Sequence, residues 1–347
     1  MNSLRQRPKL NTRVVRSLPL EDWRRFVQEH PQGNIFHTPE MFQVFARTKG
    51  YRPELWAATD SGGQVLALML PVQITLGGGL PAFLTTRAVA YGSVLCEPGA
   101  AGEEGLAVLL RTYAREVGHK VLFTELRNLS DLSSVQPVLN DCGFVSEDHL
   151  DYLIDLGRPS DEVFQGIAPR TRTYIRRAIR DGEVTVREGI EREDVTHCYG
   201  LLRRTYTSAK VPLADRSLFE AIFDILYPLG MVRLPMAWVR DACVAASVDL
   251  VYKNTIYGWY QGSNREYASC KPNELLLWHV LQWGSDNGYR QFDFGGAGKP
   301  GVEYGVRDFK AKFGGTLVNY GRNTCVHAPF RLRFSRRGYE LVRRLAR

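Results

Sequence analysis

The sequence predicts an α+β protein that contains one structural unit twice. At 347 residues the chain exceeds the usual size of a single hydrophobic core. Apolar runs rich in β-branched residues alternate with helical patterns along the chain. A shift of 170 residues superimposes a helix, the glycine after it and the following strand of the first half on the same features of the second half. A duplicated α+β unit accounts for all three observations.

In the first half, residues 55–59 and 65–74 predict two strands around a turn that contains two glycines. Residues 103–117 then have the apolar spacing of an amphipathic helix. Gly118 ends this helix at a position where a left-handed backbone is common. Residues 120–126 predict the buried strand that follows.

The second half repeats this order. Residues 244–251 and 255–260 predict strands around a short turn. Residues 272–287 predict a helix that begins with a proline and is followed by Gly288. Residues 290–294 predict the next strand.

The segment between the halves predicts a domain boundary near residue 150. A strand covers residues 153–156, and residues 160–162 have the composition of a helix start. Pro169 then opens a strongly basic helix, in which five arginines precede the first acidic residue.

Composition and cysteine usage favour an ordinary globular protein. Of the residues, 44% are apolar and 24% are charged. No apolar run reaches the roughly 18–20 residues that span a bilayer, and the N-terminus lacks the apolar stretch of a signal peptide. These features predict a cytoplasmic protein. The six cysteines are at least 27 residues apart, which argues against a zinc site and a disulfide framework.

The net charge of +8 is concentrated at the two ends of the chain. Residues 322–347 hold eight arginines against one glutamate, and residues 1–25 hold seven basic residues against two acidic ones. Aromatic and aliphatic residues are interleaved with the C-terminal arginines. This pattern is typical of a helix on an anionic membrane or against nucleic acid, and equally of a helix docked on its own protein.

The glycine-rich stretch DFGGAGKPG does not match a nucleotide-binding loop. Asp293 stands where a Walker-type loop needs its first glycine, and Pro300 stands where it needs a hydroxyl. The alternative dinucleotide pattern contains the same proline and no helical pattern follows it. The stretch is therefore not a nucleotide loop.

Four stretches, taken together, resemble the FemAB-like branch of the GNAT superfamily: IFHTPEMFQVFARTKGY, LDYLIDLGRPSDEVFQGIAPRTRTYIRRAIRDG, YGWYQGSNREYASCKPNELLLWHVLQWGSDNGYRQFDFGG and GVRDFKAKFGG. The resemblance implies tandem GNAT-like domains, each a mixed, mostly antiparallel sheet flanked by helices. Residues 1–150 would form the first domain and residues 151–320 the second. The basic segment 321–347 would return to the first domain. The glycines of DFGGAGKPG would let the backbone turn closely after a core strand, with direct contact to a ligand as the alternative.

The resemblance also implies N-acyl or aminoacyl transfer to an amine of a cell-envelope precursor, of peptidoglycan or of an exopolysaccharide. The partners would be a lipid- or nucleotide-linked precursor, with tRNA and the inner face of an anionic membrane as further candidates. No cofactor and no metal is implied, because the activated donor, an aminoacyl-tRNA or an acyl thioester, is a co-substrate. Two alternatives remain open. One is an acyl-CoA- or acyl-carrier-dependent transferase of a small molecule, and the other is a non-catalytic protein that binds membrane or RNA.

One departure from the superfamily concerns the donor. Acetyl-CoA enzymes of this superfamily carry Q/R-x-x-G-x-G/A before the main helix, where backbone amides bind the pyrophosphate. The corresponding QGSNREYASCKPN has a single glycine and lacks this pattern. The sequence therefore predicts weak acetyl-CoA binding.

Two residues are the catalytic candidates. Lys310, in the Phe-Lys element of the resemblance, can stabilise a developing oxyanion, with a solvated surface lysine as the alternative. Asp293 can orient the amine or accept its proton, or instead pair with Arg290 or Lys310. Lys312 is the alternate for Lys310, on the opposite side of an expected strand.

The remaining candidates are substrate-binding residues of three kinds. Aromatic residues would contact a sugar or peptide, basic residues would bind phosphates, and a histidine lies in the N-terminal stretch of the resemblance. They are Tyr257, Tyr260, Phe309, Arg176, Arg177, Lys210 and His37. Packing in the core, a solvated helix face and a capping role are the respective alternatives.

Overall fold

A computed structural model describes residues 12–75 and 81–335. The first 11 residues of the basic N-terminus and the last 12 of the basic C-terminus therefore lie outside the described residues.

The described strands, in chain order, are β1 (Arg13–Val15), β2 (Tyr51–Pro53), β3 (Trp56–Thr59), β4 (Val65–Met69), β5 (Val72–Thr75), β6 (Thr86–Ala90), β7 (Val94–Cys96), β8 (Phe123–Arg127), β9 (Val145–Glu147), β10 (Leu150–Asp155), β11 (Val184–Glu188), β12 (Val232–Arg233), β13 (Pro235–Val239), β14 (Ala242–Tyr252), β15 (Thr255–Ser263), β16 (Gln291–Asp293), β17 (Thr316–Asn319) and β18 (Arg322–Val326). The α-helices are α1 (Leu20–Glu29), α2 (Pro39–Arg47), α3 (Ala100–Val117), α4 (Gln136–Asp141), α5 (Ser160–Gly166), α6 (Pro169–Asp181), α7 (Arg192–Ala209), α8 (Arg216–Leu226), α9 (Pro272–Asp286) and α10 (Gly305–Ala311). Short 3₁₀ turns cover Ile35–His37, Ala82–Leu84, Tyr227–Leu229 and Arg265–Cys270.

The chain divides into two compact units. As far as it is described, the first contains the chain up to Phe42, Gly50–Glu147 and the chain from Arg322 onward. The second contains Gln43–Lys49 and Asp148–Gly321.

Within the described residues, the first unit holds a four-stranded sheet, β1-β3-β4-β7, and a six-stranded sheet, β2-β5-β6-β8-β18-β9. Neighbouring strands run antiparallel except β6 and β8, whose Ala88–Ala90 pair in parallel with Thr124–Leu126. Helix α3 precedes β8 and packs on β3 and β4 through Leu106, Leu109 and Leu110. Strand β18 inserts between β8 and β9, so a strand from the C-terminal part of the chain completes this sheet.

The second unit has one eight-stranded sheet among its described residues, in the order β11-β13-β14-β15-β16-β10-β17, with β12 paired to β14. Again a single described pair is parallel, β15 with β16, and helix α9 connects its two strands. Both units thus contain mixed, mostly antiparallel sheet flanked by helices.

Helix α9 lies at the centre of the second core because its sequence is apolar around most of its circumference. Leu276 and Leu281 are fully buried, and Gly284 has no room for a side chain. A Cβ there would come within 2.6 Å of the Ile256 side chain. The helix can therefore lie close to β15, and it packs against β13 and β14 as well.

Three local predictions need correction. The strand expected over residues 65–74 is broken into β4 and β5, since Pro71 has no N–H to donate to a continuous ladder. Gly118 has a φ of −57° and continues the right-handed backbone, whereas Gly288 has a φ of +79°, as expected for a left-handed helix end. The strand expected around Lys310 and Lys312 is instead helix α10, so the two side chains are not on opposite faces of a strand.

Candidate functional site

The candidate site lies in the second unit, where two parallel strands part. Residues Thr255–Tyr257 of β15 pair with Gln291–Asp293 of β16. Strand β16 then ends, while β15 continues to Ser263. The space that opens beyond the paired residues is a cavity of about 360 Å³.

The cavity wall is mainly aromatic and aliphatic, with a small number of polar groups. Such a composition is typical of small-molecule sites. The side chains and backbone that form it come from α7, β14, β15, α9, α10 and the loop after β16. They are Thr205, Tyr206, Ala209, Val211, Ser247, Asp249, Gly258, Trp259, Tyr260, Gln261, Leu276, Leu277, Phe292, Phe294, Gly295, Gly296, Tyr304, Val306 and Lys310.

The glycine-rich stretch forms the turn that leaves β16. Gly295, Gly296 and Gly298 have φ values of +72°, +124° and +77°. These values lie in the region that residues with a side chain rarely adopt. A Cβ on Gly295 would also approach the carbonyl oxygen of Gly258 to 3.3 Å. The glycines thus let the backbone turn close to β15, as the sequence predicts.

Lys310 projects from α10 to the cavity and is not a solvated surface lysine. Its Nζ donates to the carbonyl oxygens of Phe294 at 2.7 Å and Gly296 at 2.6 Å, which fixes the ammonium group against the turn. Burial lowers the pKa of Lys310, and the nearby carboxyls of Asp151 and Asp293 oppose that change.

Asp293 is buried beside a second acid, Asp151, on the neighbouring strand β10. Burial, followed by the charge of Asp151 and a hydrogen bond that Asp293 donates to it, raises the pKa of Asp293 well above its ordinary value. The backbone N–H of Gly295 donates to Asp293 Oδ1 at 2.7 Å. The charge of Asp151 thus disfavours ionisation of Asp293, and the charge of Lys310 opposes the rise in pKa of both carboxyl groups.

Arg307 holds the same turn from one helical turn before Lys310. Its Nε donates to the Ala297 carbonyl at 2.8 Å, and its Nη2 donates to the carbonyls of Lys299 and Val302 at 2.6 and 2.9 Å. Helix α10 therefore positions the turn through two cations.

Two predicted aromatic residues lie on β15. Tyr260 lines the cavity and contacts Tyr206 and Trp259 at ring-centroid distances of 5.7 and 5.0 Å. Tyr257 lies in register with Asp293 instead, at the paired end of the strands. Burial, and secondarily the charge of Asp293, raises the pKa of Tyr257.

The predicted basic residues are exposed. Arg176 lies over the Phe164 ring at 5.1 Å, and Arg177 pairs with Asp181 at 3.2 Å, both on the solvent face of α6. Lys210 ends α7 in a left-handed conformation. Its chain neighbours Ala209 and Val211 line the cavity, while Lys210 itself is exposed.

The last two predicted residues have packing partners. Phe309 packs on the core of the second unit, with its ring centroid 5.3 Å from that of Phe313. His37 is buried in the first unit, where its Nδ1 accepts from the Asn34 backbone N–H at 3.4 Å in a capping box. Its carbonyl accepts from Trp23 Nε1 at 2.7 Å.

Sequence reasoning missed three residues of this region, namely Asp151, Ser247 and Asp249. Alternation along LDYLID and SVDL is the signal that could have identified them, because residues two apart on a strand share a face. The bulge that aims Asp249 has no such signal. The register between β14 and β15 shifts at Val248, which makes Trp259 the extra residue on β15.

The start of α9 lies at the end of the stretch QGSNREYASCKPN, in which the sequence lacks the pyrophosphate-binding pattern. Pro272 occupies the first helical position and has no N–H. The Asn273 side chain is bonded to Ser263 and Gln261, at 3.0 and 3.2 Å. Lys271 adopts a left-handed conformation before the helix, with its Nζ 5.4 Å from the centre of the Tyr174 ring. Pro272 thus removes one backbone donor from the start of the helix, and the Asn273 side chain is already engaged within the protein.

Residues 12–75 and 81–335 contain no cluster of three or more His, Cys, Asp or Glu suited to a metal ion. They also contain no helix long and apolar enough to cross a membrane.

Comparison with known proteins places this geometry in a family. Residues 169–311 match the Acetyltransferase (GNAT) domain family, a range that contains every residue lining the cavity. No curated protein sequence matches the chain.

Several solved structures have the same fold at low sequence identity. FemX superimposes with a TM-score of 0.69 at 16% identity, over 91% of this chain and 98% of FemX. A tandem GNAT protein from the clavulanic acid biosynthesis pathway gives 0.57 at 14% identity, over 91% and 98% of the two chains. L-PGS from Bacillus licheniformis gives 0.56 at 14%, over 89% and 92%.

The predicted resemblance and the predicted fold class are both confirmed. The family match covers the second unit, and the structural likenesses extend over both units. Residues 169–311 therefore match a GNAT acetyltransferase domain, and the chain has the fold of FemX and of the tandem GNAT protein.

Proposed function

We propose that the protein transfers an acyl or aminoacyl group to an amine of a cell-envelope precursor, with the cavity of the second unit as the transfer site. The observation that carries this proposal is the parting of β15 and β16 inside the GNAT-matching residues, with Lys310 at the opening. In this assignment residues 1–150 form the first GNAT-like domain and residues 151–320 the second.

The chemistry assigned to the cavity is attack of a neutral amine on an activated carbonyl. The tetrahedral intermediate carries a negative oxygen, which a fixed hydrogen-bond donor stabilises more in the transition state than in the ground state. An ammonium group has three N–H bonds, and two of those of Lys310 are held by the backbone. We assign the third to this oxygen. Asp293 then acts through Lys310, by balancing its charge.

The start of α9 bears on the donor. Its proline and its engaged asparagine provide a poor pyrophosphate site, which favours an aminoacyl-tRNA or a carrier-bound thioester over acetyl-CoA. The exposed arginines of α6, including Arg176 and Arg177, supply a basic face for phosphates of tRNA or of a nucleotide-linked acceptor. Lys210, beside the cavity, is assigned the same role.

An envelope precursor is the proposed acceptor because of the FemAB-like sequence stretches and the likeness to FemX. We assign Tyr260 to contact of its sugar or peptide portion. Tyr257, Phe309 and His37 are assigned to support of the site or of the domain that holds them.

The C-terminal segment supports a peripheral location at the inner face of the membrane. Phe330 and Phe334, beside the arginines of residues 329–335, are 74% and 67% exposed. Arg331 donates to the carbonyls of His119 and Gly118 at 3.1 and 3.2 Å, which supports packing of residues 321–347 on the first domain. Exposed aromatic and basic side chains together suit an anionic interface.

The test of the transfer reaction combines donors and acceptors. The protein is incubated with aminoacyl-tRNA, acyl carrier thioester or acyl-CoA and with nucleotide- or lipid-linked muramyl peptides. Mass spectrometry then detects an alkali-stable amide product. Val306→Trp should abolish the product by filling the cavity, whereas Val302→Trp, also exposed but outside the lining, should not. Full activity of Val306→Trp would remove the cavity from the reaction.

The test of the membrane location uses vesicles. Anionic lipid contributes about 1 kcal/mol per basic residue near the surface. Full-length protein should therefore bind anionic vesicles at low salt, and deletion of residues 331–347 should abolish this binding. Absence of binding by the full-length protein contradicts the location.

A further inference from the structure

A carboxyl and a hydroxyl group lie on the cavity wall and have no role in the proposed transfer. Ser247 and Asp249 are on β14, two residues apart and on the same face. Both line the cavity, and they are 6% and 3% exposed. The β-bulge beside Asp249 places Trp259 across from this pair. Bulges often redirect side chains beside active sites.

The two side chains are joined by a short hydrogen bond. The Ser247 hydroxyl donates to Asp249 Oδ2 at 2.6 Å. The charged groups near this carboxyl are Arg233 and Glu188, which pair with each other at 2.6 Å. The thiol of Cys198 on α7 also faces it. Asp249 is thus bonded to the neutral hydroxyl of Ser247, while the neighbouring guanidinium of Arg233 pairs with Glu188.

In these surroundings the pKa of the Asp249 carboxyl lies near neutral pH. Burial raises the pKa of Asp249 to about 7, Glu188 adds to the rise, and Ser247 and Arg233 oppose it. Lys310, at the same cavity, is bonded to two carbonyls and faces Asp151 and Asp293 instead.

A ligand that fills the cavity must satisfy this carboxyl group. Hydrocarbon against it would leave the buried Asp249 carboxyl with the Ser247 hydroxyl as its one hydrogen-bond partner among the described residues, which is costly for an ionised acid. An ammonium group supplies both a donor and the opposite charge, and the aromatic rings of Tyr206, Trp259 and Tyr260 add a favourable environment for a cation. The wall therefore selects an amine over an alcohol or an alkyl group of equal size.

We propose that Asp249, positioned by Ser247, binds the ammonium group of the acceptor and accepts its proton. This inference rests on the proposed transfer reaction. One N–H bond of the ammonium breaks and its proton goes to the Asp249 carboxylate and then to solvent, which frees the nitrogen lone pair. The nitrogen forms a bond to the donor carbonyl carbon, and its second N–H proton then goes to Asp249. The bond to the leaving oxygen or sulfur breaks, and Asp249 passes this second proton to the leaving group, so that a neutral amide remains.

The first experiment measures binding and needs no knowledge of the natural substrate. Benzylammonium and benzyl alcohol, which have the same size, are titrated into the full-length protein at pH 8 by calorimetry. Benzylammonium should bind at least tenfold more tightly, and Asp249→Asn should remove this preference. Asp286→Asn, an exposed acid at the end of α9, should retain it. Equal binding of both probes to the wild type, or an unchanged preference in Asp249→Asn, overturns the proposal.

The second experiment measures the rate against pH once a substrate pair is found. Asp249→Asn should lower kcat by about 10²–10⁴-fold, and the decline of the wild-type rate below pH 7 should disappear. Ser247→Ala should move that decline to higher pH, because the hydroxyl no longer stabilises the carboxylate. If the Ser247–Asp249 hydrogen bond were only structural, neither substitution would change the pH dependence of the rate. Failure of the wild type to transfer any group refutes the proposed function, whereas transfer that is unaffected by Asp249→Asn refutes this inference alone.

Discussion

Replacement of Lys310 by alanine tests the role of the fixed ammonium group. The group donates two hydrogen bonds, to Phe294 and Gly296, and lies 5.2 Å from the centre of the Phe294 ring. A hydrogen bond to a charged group contributes about 1.5–3 kcal/mol. Loss of both bonds should therefore lower the free energy of unfolding by about 3–6 kcal/mol. A solvated surface lysine, the alternative left open by the sequence, would instead leave the stability nearly unchanged on replacement by alanine.

The assay is urea unfolding of the full-length protein followed by tryptophan fluorescence. Lys312→Ala is the matched control, because Lys312 is exposed and follows the same helix. Its effect should stay below about 0.5 kcal/mol. If Lys310→Ala and Lys312→Ala unfold at the same urea concentration, the two backbone bonds do not stabilise the turn.

Turnover separates a stabilising role from a catalytic one. A group that stabilises a developing oxyanion typically contributes about 10²–10³ in rate. Folded Lys310→Ala, measured well below its unfolding transition, should lose activity by this factor. Lys310→Arg should recover little, since the planar guanidinium cannot reproduce both carbonyl bonds and the third N–H. Normal turnover in either folded variant would remove Lys310 from the mechanism.

Further predictions concern stability and ligand binding. The folded pKa of Asp249 lies above its ordinary value of 3.8, at about 7. The cost of its ionisation is therefore absent below pH 3.8, grows as the pH rises and is fully present above pH 7. Asp249→Asn should become more stable than the wild type by up to about 4 kcal/mol over that range, as measured by urea unfolding at several pH values. Gly314→Ala should destabilise by several kcal/mol, because Gly314 has a φ of +76° and its Cβ would lie 2.6 Å from the Gly166 carbonyl oxygen. Gly301→Ala, with a φ of +71° and open space, should cost only about 1 kcal/mol, and equal effects would refute the steric argument. Acetyl-CoA should bind weakly in calorimetry because of Pro272, and a micromolar dissociation constant would favour an acyl-CoA donor instead.

The architecture was largely readable from the sequence because the relevant signals are local. The apolar spacing of α3 and α9, the proline that begins α9 and the glycine after it all specify backbone structure within a few residues. Strands β14 and β15 were predicted because both are rich in apolar and aromatic residues. The break between β4 and β5 was missed, although Pro71 was visible, since the apolar pattern continues across it.

The site was only partly readable because its contacts are distant in sequence. The lysine at residue 310 was identified from a resemblance, but its bonds to residues 294 and 296 depend on how α10 folds back on the turn. Asp151 and Asp293 are adjacent only because β10 and β16 pair, across more than a hundred residues. Charge alone selected Arg176 and Arg177, and the structure places both on the exposed face of α6.

The two units differ at the end of their parallel strand pair, which is β6 and β8 in the first unit and β15 and β16 in the second. In the first unit, the residues just beyond β6 and β8 are bridged by a hydrogen bond from Ser93 to Asn128 at 2.8 Å, and both side chains are buried. In the second unit, glycines at the corresponding end turn the chain away, and Lys310 secures that turn through backbone carbonyls. The Ser93–Asn128 bridge closes the end of the first strand pair. Among the described residues, Lys310 bonds only to the backbone that follows β16, and the space beside β15 therefore stays free for a ligand. Duplication of the fold thus provides two equivalent strand ends, of which one can be stabilised by a side-chain bridge and the other can bind a ligand. In this chain the second unit has the open strand end, and the polar groups of the proposed acyl transfer lie there.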